Sequence, residues 1–295
     1  MSSPGSAMQT SMNFVTPGPD GTVRFVLDNS WTGTRQRPVT VELADLRPRA
    51  AEVSLEREGF VIDRIVSGVT DYRDPGQVES RWKPAVKETV LRVTGGAWAT
   101  LFAGPLARFS ERDPNAFSSA VSAPARAVHS DLHRTFGYEQ FPQQPHAEAA
   151  HAEVLERYGE PLSKRWRIFN VWQMISPPPQ DTALALCALD SVAAEDFVEG
   201  KGFFAEPGVD AEALLARPNA EAQFDISFVR ENPEQRWGYF SNMLPGEALI
   251  FSTFDPLGDE RRARVPHGAF DVDAASPVAV PRNSIEIRAL VVFDD

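Results

Sequence analysis

Apolar and polar residues alternate over short stretches along most of this chain, the pattern of half-buried strands. Val23–Leu27 and Val39–Leu43 each read as a strand, and Gly59–Val66, β-branched after a glycine, reads as a stronger one. The spacing then changes to three and four residues at Trp82, Val86, Val90 and Val93, which predicts a helix. Pro84 falls in its first turn, where a missing N–H costs least, and Gly95-Gly96 suits its C-terminal cap. Ala97–Phe102 follows as a buried strand. His146–Tyr158 is a second helix on the stripe Ala147, His151, Val154 and Tyr158, ended by Gly159-Glu160-Pro161. From Arg165 the period returns to two: Trp166–Trp172, Ala183–Leu189, Phe224–Val229, Arg236–Phe240, Glu247–Thr253 and Ser284–Phe293. Glu231-Asn232-Pro233-Glu234 makes a hairpin of the third and fourth of these. Short strands joined by turns, with helices before and between them, predict a mainly β protein with flanking helices. A β-sandwich or closed double-layer barrel fits. We read residues 23–295 as one domain behind a loose, Ser-, Gly-, Pro- and Thr-rich terminus over residues 1–22.

Composition narrows the function classes. The 295 residues are 42% hydrophobic, enough for a large core, and carry 29 basic against 41 acidic side chains, a net charge of −12. That balance argues against a nucleic-acid partner, which selects a basic face. The single Cys187 excludes an internal disulfide, and its apolar surroundings, Ala183 to Ala188, mark it as a buried thiol outside the chemistry. With no signal-peptide pattern and no apolar run of bilayer length, the chain reads as cytoplasmic, with no membrane partner. Oligomeric state is not legible.

Candidate chemistry begins at Ala127-Val128-His129-Ser130-Asp131-Leu132-His133. On a strand, His129 and Asp131 project to one side and are two of the three ligands of a 2-His-1-carboxylate centre. A structural hydrogen-bonded pair is the other reading. Of the five histidines only His267 lies in the β-rich C-terminal half, where a folded sheet returns a third ligand. His133 shares the parity of His129 and competes with it, as a ligand, a contact behind one or a substrate contact. His146 and His151 belong to a helix surface. On the last strand Arg282, Ser284, Glu286 and Arg288 share one face. Two guanidiniums and a hydroxyl there suit a bidentate carboxylate, although an edge strand with a Glu286–Arg288 ion pair fits the pattern as well. The aperiodic stretch 131–145 reads as a lid or a passive connection, and Phe136, Tyr138, Phe141 and Trp172 as pocket walls or core.

Taken together these segments resemble the iron(II)/2-oxoglutarate-dependent hydroxylase/desaturase group that includes gibberellin desaturase-type and cephamycin methoxylation proteins. The resemblance runs through Glu56-Arg57-Glu58-Gly59-Phe60, Thr94-Gly95-Gly96-Ala97, Val128-His129-Ser130-Asp131 and Ile168-Phe169-Asn170-Val171-Trp172. It continues through Arg236-Trp237-Gly238-Tyr239, Pro245 to Phe251, Pro266-His267-Gly268-Ala269-Phe270 and Pro281 to Arg288. It implies a double-stranded β-helix, the jelly-roll, cupin-like core. It also implies iron(II) held by His129, Asp131 and His267, with 2-oxoglutarate and O2 as cosubstrates. Arg282 with Ser284 and Arg288 are both candidate anchors for the cosubstrate, with Arg288 favoured. Gln173-Met174 departs from the basic residue and proline usual there, which bears on contacts near the site. The activity implied is hydroxylation, desaturation or cyclisation of a small molecule in secondary metabolism. A cupin-type metalloenzyme that does not use 2-oxoglutarate and a non-catalytic small-molecule-binding partner protein are the alternatives.

Overall fold

The alternating stretches become strands of two sheets. The computed structural model describes residues 7–113, 123–159, 162, 164–205, 208–217, 221–258, 263–272 and 278–294. The rest, including 1–6 of the expected terminus and the expected helix stop at 160 and 161, lie outside the described residues. In chain order the strands are β1 (Ala7–Thr16), β2 (Thr22–Leu27), β3 (Arg35–Asp45), β4 (Phe60–Arg64), β5 (Trp98–Phe109), β6 (His129–Ser130) and β7 (Trp166–Met174). They continue as β8 (Thr182–Cys187), β9 (Phe197–Phe204), β10 (Phe224–Val229), β11 (Trp237–Tyr239), β12 (Glu247–Phe254), β13 (His267–Asp271) and β14 (Asn283–Val292). One sheet has nine strands, ordered β1-β3-β11-β8-β13-β6-β10-β9-β2; the other has five, ordered β4-β12-β7-β14-β5. The α-helices are α1 (Pro75–Gln77), α2 (Lys83–Thr94), α3 (Glu148–Tyr158) and α4 (Ala211–Leu215).

Strand parity decides which side chains meet. On neighbouring β7 and β14, Phe169, Val171, Ile285, Ile287, Ala289 and Val291 pack beneath α2 through Trp82, Val86 and Val90. Val86 and Val90 have no exposed surface, so each contributes on the order of 1.5–3 kcal/mol. The alternate residues of the same strands face inward, where Trp172 and Met174 meet Leu184 and Leu186 of the nine-stranded sheet. The helical run starts earlier than the apolar spacing predicts. Asp74 caps α1 by accepting from the Gly76 and Gln77 amides, and a π-type turn (Val78–Trp82) leads into α2. Gly95 ends α2 in the left-handed conformation at φ 71°, which only glycine adopts without strain.

Three expectations change. Within the stretch expected to be loose, Ala7–Thr16 forms β1, antiparallel to β3, and buries Met12, Phe14 and Val15. The hairpin expected over 224–240 does not form: β10 pairs with β6 and β9, whereas β11 pairs with β3 and β8. His146 precedes α3 instead of belonging to its surface, and adopts φ 55°. No helix among the described residues is long and apolar enough to cross a membrane.

Candidate metal centre

His129 on β6 and His267 on β13 are directly paired across the nine-stranded sheet, which brings their imidazoles to 4.4 Å between centroids. Each ring is oriented through Nδ1, which lies 2.7 Å from the Ala127 carbonyl for His129 and 3.0 Å from that of Val265 for His267. A carbonyl only accepts, so Nδ1 carries the proton and both Nε2 lone pairs are free to bind a cation. Trp31 packs against the His129 ring and Phe251 against the His267 ring, each 4.8 Å between centroids. Burial above all, then His267, pushes the His129 pKa down to about 3 and keeps the ring in the neutral form that a metal needs.

Asp131 follows the short β6 and completes the group, its carboxylate 3.7 Å from His129 Nε2 and 4.0 Å from His267 Nε2. The three ligand atoms lie within 4.8 Å of one another. Burial works against the Asp131 charge, but the Arg288 guanidinium, the two histidines and the Asn170 amide outweigh it and hold the acid below its usual range. Two buried imidazoles and one part-buried, ionised carboxylate converge here, a donor set that fits a ferrous ion of the 2-His-1-carboxylate kind.

A narrow pocket leads from this group past Trp172 and Leu184 to Arg282. The Arg282 side chain is buried, with its guanidinium 5.3 Å from the Trp172 ring centre. Arg282 Nε and the Ser284 hydroxyl are both buried with no hydrogen-bond partner among the described residues. Burial, then the nearby Arg108, pushes the Arg282 pKa down to about 10, so it remains a cation at neutral pH. Asp181 fixes the local backbone by accepting from the Arg282 amide at 2.9 Å and the Ser110 hydroxyl at 2.7 Å. Arg288 has a different partner, with Nη2 3.0 Å from Asp131 Oδ1. Glu286 pairs with Arg108 at 3.1 Å, not with Arg288.

On the other side of the ligands a cavity of about 320 Å³ opens, within the range of small-molecule sites. Leu27, Trp31, Leu106, Phe204, Phe224 and Ile226 supply its apolar wall. Trp31, Ala103 and His146, each with left-handed φ, also line it, and such strain gathers at functional sites. The stretch 131–145 contributes Gln144 and Pro145 to the wall, and Pro145 is tied down by the Ala103 amide at 2.9 Å.

Some expected residues lie elsewhere. Phe136, Tyr138 and Phe141 pack with α3, Trp166 and Phe254 in a separate core instead of lining the cavity. The strand does not persist to His133, which gathers with Glu199 and Asp225, where the Lys201 ammonium already supplies the cation. His151 packs against Tyr138 and Phe141. Gln173, expected to bear on the site, is fully buried on the helix side, accepting from Trp82 Nε1 and donating to the Tyr72 hydroxyl. Sequence reasoning missed Trp31, Arg108, Phe204, Phe224 and the role of Asn170. Only Asn170 carried a signal, since it shares the parity of Trp172 within a motif quoted above.

Comparison with known proteins gives four findings. The family description "Oxidoreductase/YMDC permease-like domain" matches residues 12–292. The hydroxylase/desaturase asaB of Aspergillus flavus is 36% identical over 135 residues, a match covering 45% of this chain and 58% of that protein. The Fe(II)/2-oxoglutarate-dependent dioxygenase nvfI of Aspergillus novofumigatus is 27% identical, with 94% of this chain and 88% of that one covered. A solved structure of the iron and alpha-ketoglutarate-dependent endoperoxidase NvfI superposes with a TM-score of 0.76 at 22% identity, covering 100% of both chains, and shares the fold.

Proposed function

Because this chain belongs to the oxidoreductase/YMDC permease-like family and is similar to a hydroxylase/desaturase and an iron(II)/2-oxoglutarate-dependent dioxygenase, we propose that it is an iron(II)/2-oxoglutarate-dependent oxygenase. It hydroxylates, desaturates or cyclises a small molecule of secondary metabolism. The observation that carries this reading is one continuous arrangement: three converging metal ligands, and beyond them a buried arginine and serine with unsatisfied hydrogen-bonding atoms.

In this reading His129, Asp131 and His267 hold the metal. Iron(II) with 2-oxoglutarate and O2 supplies the oxidising power that no side chain possesses. Arg282 binds the distal carboxylate of the cosubstrate through its planar guanidinium, and Ser284 donates its hydroxyl to the same group. This favours Arg282 over Arg288, whose guanidinium is already engaged by Asp131. Trp172 and Leu184 wall the pocket between the ligands and Arg282, where the cosubstrate would lie. Leu27, Leu106, Phe204, Phe224 and Ile226 exclude water from the substrate side and hold the reacting carbon near the ligands. Cytoplasmic residence suits a site that needs iron kept ferrous.

Anaerobic reconstitution with iron(II) and 2-oxoglutarate tests this directly. The expected result is a weak visible charge-transfer band in the wild-type chain that Asp131→Ala lacks. No band in the wild type, or an undiminished band in the variant, overturns the proposal.

A further inference from the structure

Asp131 lies one residue beyond a two-residue strand, so no sheet ladder holds its side chain in place. What holds it comes from the opposite sheet. Asn170 of β7 and Arg288 of β14 are direct cross-strand partners in the five-stranded sheet, and both side chains reach Asp131. Arg288 Nη2 lies 3.0 Å from Oδ1, and Asn170 Nδ2 donates to Oδ2 at 2.8 Å. Oδ2 therefore accepts a hydrogen bond and Oδ1 meets a cation, each from a different strand. We infer that Asn170 and Arg288 form a fork that positions Asp131 for the metal, and that Arg288 acts through this ligand and not on the cosubstrate. The inference rests on reading the site as an iron(II) centre.

The Asn170 amide gives independent support. It is 4% exposed, and its Oδ1 is buried with no hydrogen-bond partner among the described residues. An unsatisfied buried acceptor costs about 1–3 kcal/mol, which an apolar residue would not incur. The amide is thus useful for its N–H, which points at Asp131. Arg288 adds an ion pair to the other oxygen through Nη2 at 3.0 Å. With both oxygens held, the carboxylate cannot rotate away from the two Nε2 atoms, so it is oriented before the metal arrives. The same contacts tie the two sheets together at the site, because His129 and His267 sit on one sheet, Asp131 directly follows the first of their strands, and the fork is on the other sheet.

Asn170 is the cleaner probe, since removing its amide changes no charge, whereas removing Arg288 also removes a cation that repels a divalent ion. The experiment titrates the purified full chain anaerobically with cobalt(II), following its d–d absorption, and separately measures the KM for 2-oxoglutarate through succinate formation. Asn170→Ala is expected to raise the cobalt Kd roughly 10–100-fold and to alter the band shape. Its KM for 2-oxoglutarate should stay within about threefold of wild type. Arg282→Ala should show the reverse pattern. Arg288→Lys, which keeps one donor and the charge, should restore the band shape lost in Arg288→Ala. Asn170→Leu, close in volume and without the amide, repeats the test if Asn170→Ala does not fold by circular dichroism. An unchanged cobalt Kd in a folded Asn170 variant overturns the fork, as does an Arg288→Ala chain that loses only cosubstrate affinity. A wild-type chain that binds no cobalt overturns the iron-centre reading itself, a result distinct from either.

Discussion

Arg282 and Arg288 share a face of β14 but meet different surroundings, and that difference separates their roles. Arg288 has an acid against it, whereas Arg282 lies buried against Trp172 with Nε unsatisfied. Truncating one partner of a buried, hydrogen-bonded charge pair costs about 2–5 kcal/mol. Arg282→Ala is therefore expected to raise the KM for 2-oxoglutarate on the order of 100-fold, near the lower end of that range. Steady-state succinate formation at saturating iron checks it, and a KM within twofold of wild type would contradict the assignment. Cys187 yields a simpler prediction. Burial pushes its thiol pKa up to about 12. The native chain should resist iodoacetamide at pH 8, while the unfolded chain is alkylated, as read by mass spectrometry. Among individual residues, strand parity put His129 beside Asp131 and Arg282, Ser284 and Arg288 on one face, while His267 stood out as the one histidine of the β-rich C-terminal half. The partner of Arg288 was not legible, because parity says which face a side chain takes and nothing about what lies opposite in another sheet. Trp31, Phe204 and Phe224 gave no signal, since an isolated aromatic residue in sequence looks the same in a cavity wall as in a core.

Elements were legible where their period was clean and obscured where glycine or polar residues interrupted it. β9 alternates charge and glycine through Glu199-Gly200-Lys201-Gly202, which hides its strand character. The glycines are needed because β10 sets Phe228 and Phe224 over them: a Cβ would lie 2.8 Å from the Phe228 ring at Gly200 and 2.3 Å from the Phe224 ring at Gly202. Alternation within β11 and β10 was readable, but their pairing was not, because three strands of distant sequence separate them in the sheet. The helical buttress was read from the spacing of Trp82, Val86 and Val90, yet what locks it onto β7 is Gln173. Its Oε1 accepts from Trp82 Nε1 at 2.8 Å, and its Nε2 lies 2.6 Å from the Tyr72 hydroxyl. Gln173→Ala would leave the fully buried Trp82 N–H unpaired and is expected to destabilise the chain by about 2 kcal/mol. The KM for 2-oxoglutarate should not change, since the side chain faces the helix and not the cavity. Urea unfolding and kinetics on the same variant test both halves, and a KM effect without loss of stability would place Gln173 in the site after all.

At the scale of the whole molecule, the ligands are collected from points far apart in the chain (267 − 129 = 138) and joined only when β6 and β13 pair. The unfolded chain has no such site, so a bound metal stabilises the folded state by mass action, about 2.7 kcal/mol at a free concentration of 100 times Kd. The apoprotein should therefore melt at a lower temperature than the cobalt(II)-loaded chain, and His267→Ala should abolish the difference. Protons act in the opposite direction. His129 is held neutral when folded, with its pKa pushed from the ordinary 6.5 down to about 3, so between those values the unfolded chain binds more protons. Asp131 is shifted in the same sense, below its usual range. Stability of the apoprotein should thus be intact above about pH 6.5 and decline progressively as the pH falls toward 3. A metal on Nε2 competes with those protons, so loading should move the decline to lower pH until the ion is released. Thermal melts of apo and cobalt-loaded protein across pH 4–7 measure both effects. Superimposable curves would mean that the three ligands do not act as one site.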